Sequence, residues 1–82
     1  MVENHSKIIL GIDPGTVCLG YGLIEVRGQK MRMIVMGSIK LSKYEEQSQR
    51  LKHIFDRVSA IIEEYTPDEL AIEAPFLSLI HI

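Results

Sequence analysis

Two carboxylates stand at places where a carboxylate needs a reason. Asp13 closes the run Lys7-Ile8-Ile9-Leu10-Gly11-Ile12 and is followed by Pro14-Gly15-Thr16, while Glu73 closes Leu70-Ala71-Ile72 and is followed closely by Pro75. A continuous apolar run bounded by turn residues reads as a strand buried on both faces. Pro14 has no amide to donate and Gly15 tolerates turn angles, so the first strand ends at its acid. Two carboxylates brought close repel, and one takes up a proton unless a cation intervenes. An all-oxygen set without cysteine or histidine pairs favours a hard ion, Mg²⁺ or Mn²⁺, over zinc. The competing reading is plain: Asp13 caps the turn through Thr16 or a backbone amide, and Glu73 faces solvent.

The elements between the acids decide whether they meet. Gly20-Tyr21-Gly22-Leu23-Ile24-Glu25-Val26 reads as a second strand, and Arg27-Gly28-Gln29-Lys30 as a hairpin break. Met31 to Leu41 predicts a third strand with Met31, Met33 and Val35 on one face and Arg32, Ile34 and Met36 on the other. The methionines read as core filler. Ser42-Lys43-Tyr44-Glu45 fits a capping box. The helix after it carries Leu51, Ile54, Phe55, Val58, Ile61, Ile62 and Tyr65 as one apolar stripe, which must pack on the sheet. Pro67 disfavours a helical Thr66 and ends that helix. Glu63, Glu64, Asp68 and Glu69 read as a solvated helix end and loop.

The path runs up, down and up through the three strands, then back along the helix. The fourth strand, Leu70–Glu73, therefore runs parallel to the first, and a right-handed crossover lays it on the first strand's free edge. Asp13 and Glu73 then sit at the carboxyl ends of adjacent parallel strands, roughly 4.7–4.9 Å apart across the sheet. Open α/β sheets place their ligands at such ends.

Composition sets the outer bounds. At 82 residues, 46% hydrophobic and 24% charged, the chain reads as at most one small globular domain. It has no apolar segment long enough to span a membrane, and Met1-Val2-Glu3-Asn4-His5 lacks signal-peptide character. The one cysteine, Cys18, cannot form an internal disulfide, which suits a cytoplasmic location. The formal net charge of −2 argues against a strongly basic nucleic-acid binder. The basic residues nevertheless cluster: Arg27, Lys30, Arg32, Lys40 and Lys43 follow one another without an acid between. That stretch reads either as a solvated sheet face or as a phosphate-facing surface, with Arg27, Lys30 and Arg32 as the DNA-contacting candidates. His5 and His81 read as incidental and His53 as a surface residue.

Ile8-Leu10-Gly11-Ile12-Asp13-Pro14-Gly15-Thr16, then Gly20-Tyr21-Gly22, then Leu70-Ala71-Ile72-Glu73 and Phe76, resemble the N-terminal half of the RuvC family, the bacterial Holliday-junction resolvases. The likeness runs from about Lys7 to Phe76. It implies a ribonuclease H-like α/β fold: an antiparallel three-strand meander, a helix, then a fourth strand parallel to the first. It also implies a homodimeric, Mg²⁺-dependent endonuclease that nicks four-way DNA junctions alongside a branch-migration motor. The family's site holds four acidic residues, of which Asp13 matches the first and Glu73 the second. Phe76 matches an aromatic position used on the DNA, where stacking on a base is chemically reasonable, though a core role suits it equally.

Residues 1–76 thus read as the N-terminal portion of a nuclease domain. The tail 77–82, Leu77-Ser78-Leu79-Ile80-His81-Ile82, departs from the family's polar loop and reads as a non-native end. No third or fourth acid follows Glu73. The expectation is a chain lacking the C-terminal part of the fold, with an unpaired edge on its fourth strand, weak metal binding and no catalysis of its own. Rival readings are an actin-like ATPase or sugar-kinase subdomain binding nucleotide phosphates, a ribonuclease H-like relative acting on RNA, and a truncated module that only dimerises or occupies DNA.

Overall fold

The computed structural model describes residues 6–15, 17–43, 45–73 and 77–81, with backbone alone for 73 and 77–81. Five strands and one helix follow in the order β1 (Ser6–Asp13), β2 (Cys18–Arg27), β3 (Lys30–Lys40), α1 (Gln47–Tyr65), β4 (Glu69–Glu73) and β5 (Leu77–His81). They make one mixed sheet in the order β3-β2-β1-β4-β5. β1 pairs antiparallel with β2 and parallel with β4, as the crossover argument requires. No helix among the described residues is long and apolar enough to cross a membrane.

The β2–β3 hairpin turns on two residues, Gly28 and Gln29, between the paired Arg27 and Lys30. Gly28 has φ +61 and Gln29 does not share the positive sign. Positive φ at the first loop position alone is the type II′ pattern, which glycine supplies at no steric cost.

α1 covers one face of the sheet. Leu10, Leu23 and Ile61 are buried together, with Ile8, Ile12, Val35, Val58, Ile62 and Leu70 packed around them. A second cluster of Leu19, Ile39 and Leu41 meets Ile54 and Val58. Two residues of the expected stripe stay outside: Leu51 is 57% and Phe55 70% exposed. Phe55 lies at the flank of the stripe, whereas Leu51 is on its line but near the start of the helix, ahead of Ile54, the first helical residue that meets the core.

The helix also starts later than its capping pattern indicates. Ser42 and Lys43 lie in a turn, and Glu46 is the N-cap, with extended backbone and no side-chain cap bond. The first helical bond runs from the Arg50 N–H to the Glu46 carbonyl. Tyr44 lies outside the described residues. The C-terminus follows the proline argument: Thr66 takes a left-handed φ of 43 and donates its N–H to the Ile62 carbonyl, because Pro67 closes the helical region to it.

A bulge in β3 revises the expected faces. Leu23 pairs with Val35 but Ile24 with Met33, leaving Ile34 as the extra residue. One extra residue reverses the alternation beyond it. Ile34 and Val35 therefore both reach the helix side, while Met33 and Met36 both line the opposite face. Nor is β1 covered on both faces, as its apolar run predicts. Among the described residues only the α1 side is closed, and Met33 and Met36 are 53% and 71% exposed on the other. The edge of β4, expected to be unpaired, is occupied by β5, running antiparallel from Glu73 opposite Leu77 to Glu69 opposite His81.

Candidate functional site

The site grows out of the β1–β4 pairing. Ile9 lies level with Glu69, Leu10 with Leu70, Gly11 with Ala71 and Ile12 with Ile72. One step further in the same register stand Asp13, the last residue of β1, and Glu73, the last residue of β4. Both are at carboxyl ends, as the sequence requires. Asp13 is exposed, so its carboxylate is free to take a ligand from solvent. The side chain of Glu73 lies outside what is described, as do Thr16, the candidate partner of Asp13 in a turn cap, and Phe76.

The turn after Asp13 is tightly made. A Cβ on Gly15 would stand 2.6 Å from the backbone carbonyl oxygen of Cys18, a distance no side chain can adopt without moving the turn. The Leu41 N–H then donates to the Val17 carbonyl at 2.8 Å, tying the turn to the end of β3. The turn after Asp13 is thus fixed at Gly15 and at Val17, and Asp13 itself pairs with Gly20 of β2.

Behind Asp13, on the face away from α1, runs an open apolar trough of about 440 Å³ lined by Ile9, Gly11, Gly22, Ile24, Met33 and Ala71, among others. Its floor is low because Gly11 and Gly22 are cross-strand partners. Small residues at a strand surface let another backbone come close. Among the described residues no group of three or more His, Cys, Asp or Glu side chains comes together. Asp13 and the register position of Glu73 suit a hard divalent cation by donor chemistry, since both offer carboxylate oxygen alone.

The basic candidates do not join the acids. Arg27 and Lys30 flank the hairpin, and Arg27 is level with Ser6, at the opposite end of β1 from Asp13. Seven residues of strand separate the two ends, roughly 23 Å at about 3.3 Å per residue. Arg32 is engaged: its Nε and Nη2 donate to Glu25 Oε1 at 3.2 and 2.9 Å. That guanidinium holds the Glu25 carboxyl below its ordinary range, with burial opposing and Arg27 adding to the effect. At the acid end of the sheet the exposed cation on β3 is Lys40, opposite Cys18. The basic stretch in the sequence contains Lys40, but only the hairpin's length shows which of its members lie near Asp13.

Asp68 and Glu69, read from the sequence as part of a solvated helix end and loop, are instead engaged with β1, and Glu69 is the first residue of β4. The Ile8 N–H donates to Asp68 Oδ2 at 2.8 Å, and Lys7 Nζ donates to Glu69 Oε2 at 3.0 Å. Nothing periodic marks these contacts, because their partners are distant in sequence.

Comparison with known proteins points one way. A family model described as "Crossover junction endodeoxyribonuclease RuvC" matches residues 9–79, a span that reaches into the tail. The chain is 51% identical over 75 residues to a crossover junction endodeoxyribonuclease RuvC of Porphyromonas gingivalis, covering 92% of this chain and 40% of that protein. It is 56% identical over 81 residues to the Cytophaga hutchinsonii protein of the same name, covering 93% and 40%. A solved structure, Thermus thermophilus RuvC in complex with Holliday junction substrate, superposes with a TM-score of 0.74 at 29% identity, over 88% of this chain and 45% of that one. The chain therefore spans about two fifths of the length of the curated relatives it matches.

Proposed function

The chain belongs to the RuvC family of crossover junction endodeoxyribonucleases, and from that membership we propose that it forms the N-terminal part of a nuclease that nicks four-way DNA junctions. The observation that carries this reading is the β1–β4 register, which leads to Asp13 and Glu73 at matching strand ends. In the proposed site these two acids hold Mg²⁺, or Mn²⁺ in its place. When bound, such an ion supplies activation of a water nucleophile and offsets charge on the departing oxygen.

The chain's own residues do the rest of the work. Asp13 and Glu73 orient the ion at the rim of the sheet. The low floor at Gly11, Gly22 and Ala71 leaves room for a phosphodiester backbone. Arg27 and Lys30 at the hairpin, with Arg32 through the half of its guanidinium not given to Glu25, take phosphates on the far side of the duplex. A B-form duplex carries one negative charge per roughly 1.7 Å of axis, so contacts at both ends of the sheet reach separate phosphates. Phe76 stacks on a base at the junction. The working enzyme is a homodimer, which makes paired nicks, and it acts beside a branch-migration motor. The 82 residues alone, holding two of the four acids that the family resemblance implies, bind the ion weakly and cleave nothing measurable.

The test is a chimera in which these 82 residues replace the matched segment of the Porphyromonas gingivalis relative. The chimera is expected to cut a four-way junction with a divalent ion and to spare RNA. Asp13→Asn or Glu73→Gln should lower that rate by roughly a hundredfold or more. A folded chimera that cuts RNA instead, or whose junction cleavage survives both substitutions, would sink the reading.

A further inference from the structure

Asp68 makes two contacts with one residue of β1. Its backbone N–H donates to the Ile8 carbonyl at 2.7 Å, and its Oδ2 accepts the Ile8 N–H at 2.8 Å. The first lies just outside the regular ladder, in which Ile9 level with Glu69 would give the Ile8 carbonyl the Glu69 N–H. The second replaces a rung: the chain before Asp68 is Thr66, in left-handed conformation, then Pro67, and a carboxylate takes the amide in place of a strand carbonyl. Lys7 and Glu69, one residue further along each way, add an ion pair at 3.0 Å.

This clamp sits where register is decided. The pairing of β1 with β4 covers only Ile9–Ile12 with Glu69–Ile72. Side chains alternate along a strand, so a slip of one residue would turn Leu70 out of the core it shares with Leu10 and is forbidden by burial. A slip of two residues is not forbidden that way, because it keeps the same side chains on the same face. It would nevertheless move Glu73 about 6.6 Å along the sheet from Asp13. Apolar packing alone therefore leaves even slips open, and a specific polar contact must close them.

We infer that Asp68 is a positioning residue for the acid pair: by accepting the Ile8 amide it selects the one register in which Asp13 and Glu73 end level. This rests on the reading of those two acids as a metal site. Asp68 is itself exposed, so replacing it opens no cavity in the core.

A Mn²⁺ titration of the 82-residue chain tests it, read by paramagnetic broadening of the Gly11–Asp13 amides and accompanied by cross-strand NOEs between β1 and β4. Asp13→Asn and Glu73→Gln should each abolish the broadening. Asp68→Ala should weaken Mn²⁺ binding about tenfold and lose the Ile9–Leu70 NOEs, while Asp68→Asn, which keeps an acceptor oxygen, should stay within about threefold of wild type. Wild-type Mn²⁺ binding by Asp68→Ala, with both acid variants silent, overturns the positioning role and leaves the acid pair standing. If instead the acid variants broaden like wild type, the acid-pair reading fails. The NOEs then decide the register role, and an unchanged β1–β4 pattern in Asp68→Ala overturns it too. Should Asp68→Ala not fold, Asp68→Ser, with a shorter and uncharged acceptor, takes its place in both readings.

Discussion

Glu25 shows how one side chain can change the meaning of a charged stretch. It stands beside a run of basic neighbours and takes two hydrogen bonds from Arg32, so one of the three cations near the hairpin loop is already partnered. Its pKa is lowered, first by that bond and then by the charges of Arg32 and Arg27. A carboxyl held lower in the folded state than in the unfolded chain contributes stability above its ordinary value of 4.5. That contribution is lost as pH falls through the folded pKa. Replacing Arg32 with Gln should therefore move the Glu25 carboxyl back up toward its ordinary value in an NMR titration of the side-chain carbon. The pH dependence of stability between the two values should flatten, and the same small amount should be lost at pH 7, where the contribution is fully present, since an exposed pair of this kind is worth little. Gly15 belongs to the same scale. Its need to be glycine is steric contact with Cys18, where the sequence suggests only a permissive turn.

At the scale of elements, α1 is legible in outline and misjudged at its edges. The run of aliphatics at steps of three and four identifies a helix and its buried side, and Ile61, Val58 and Ile54 lie there as expected. Periodicity cannot say how wide an arc the sheet will cover or how far along the helix it reaches, so it groups Phe55 at the flank and Leu51 near the helix start with them, although both stand in solvent. The capping pattern at Ser42 misleads for a similar reason. It describes a favourable local bond, but the turn leaving β3 delays the helix to Gln47. The other end offers a clean test. Thr66 is β-branched and left-handed, a conformation costing most residues roughly 1–2 kcal/mol and glycine none. Thr66→Gly should raise the urea midpoint, by about 0.5–1 kcal/mol in stability once the greater freedom of unfolded glycine is deducted. A lower midpoint would mean that the strain is relieved elsewhere.

On the scale of the whole molecule, acids and hairpin cations stand at opposite ends of one sheet. A chain bound only through its hairpin would hold DNA without bringing it to Asp13. The proposed junction binding should therefore separate into two parts. In the chimera, Arg27→Ala with Lys30→Ala should reduce the slope of log affinity against log salt by nearly 2, at about 0.9 for each phosphate no longer neutralised. Asp13→Asn should leave that slope alone while removing cleavage. An unchanged slope in the double variant would assign DNA binding to another surface, with Lys40 at the acid end of β3 the first place to look.

The residues by themselves determined four of the five strands and the helix, because an apolar run, an alternation and a 3.6-residue stripe are local properties of a chain. They also determined that Asp13 and Glu73 end their strands, because proline and glycine follow. Three things came only from the tertiary structure. The bulge at Ile34 reversed the faces of β3, since one unpaired residue shifts every partner beyond it. The tail became β5, since a strand's pairing depends on the neighbour it meets. The level of Asp13 against Glu73 rests on a β1–β4 register in which Asp68 holds the Ile8 amide, a contact between residues distant in sequence that no periodic pattern encodes.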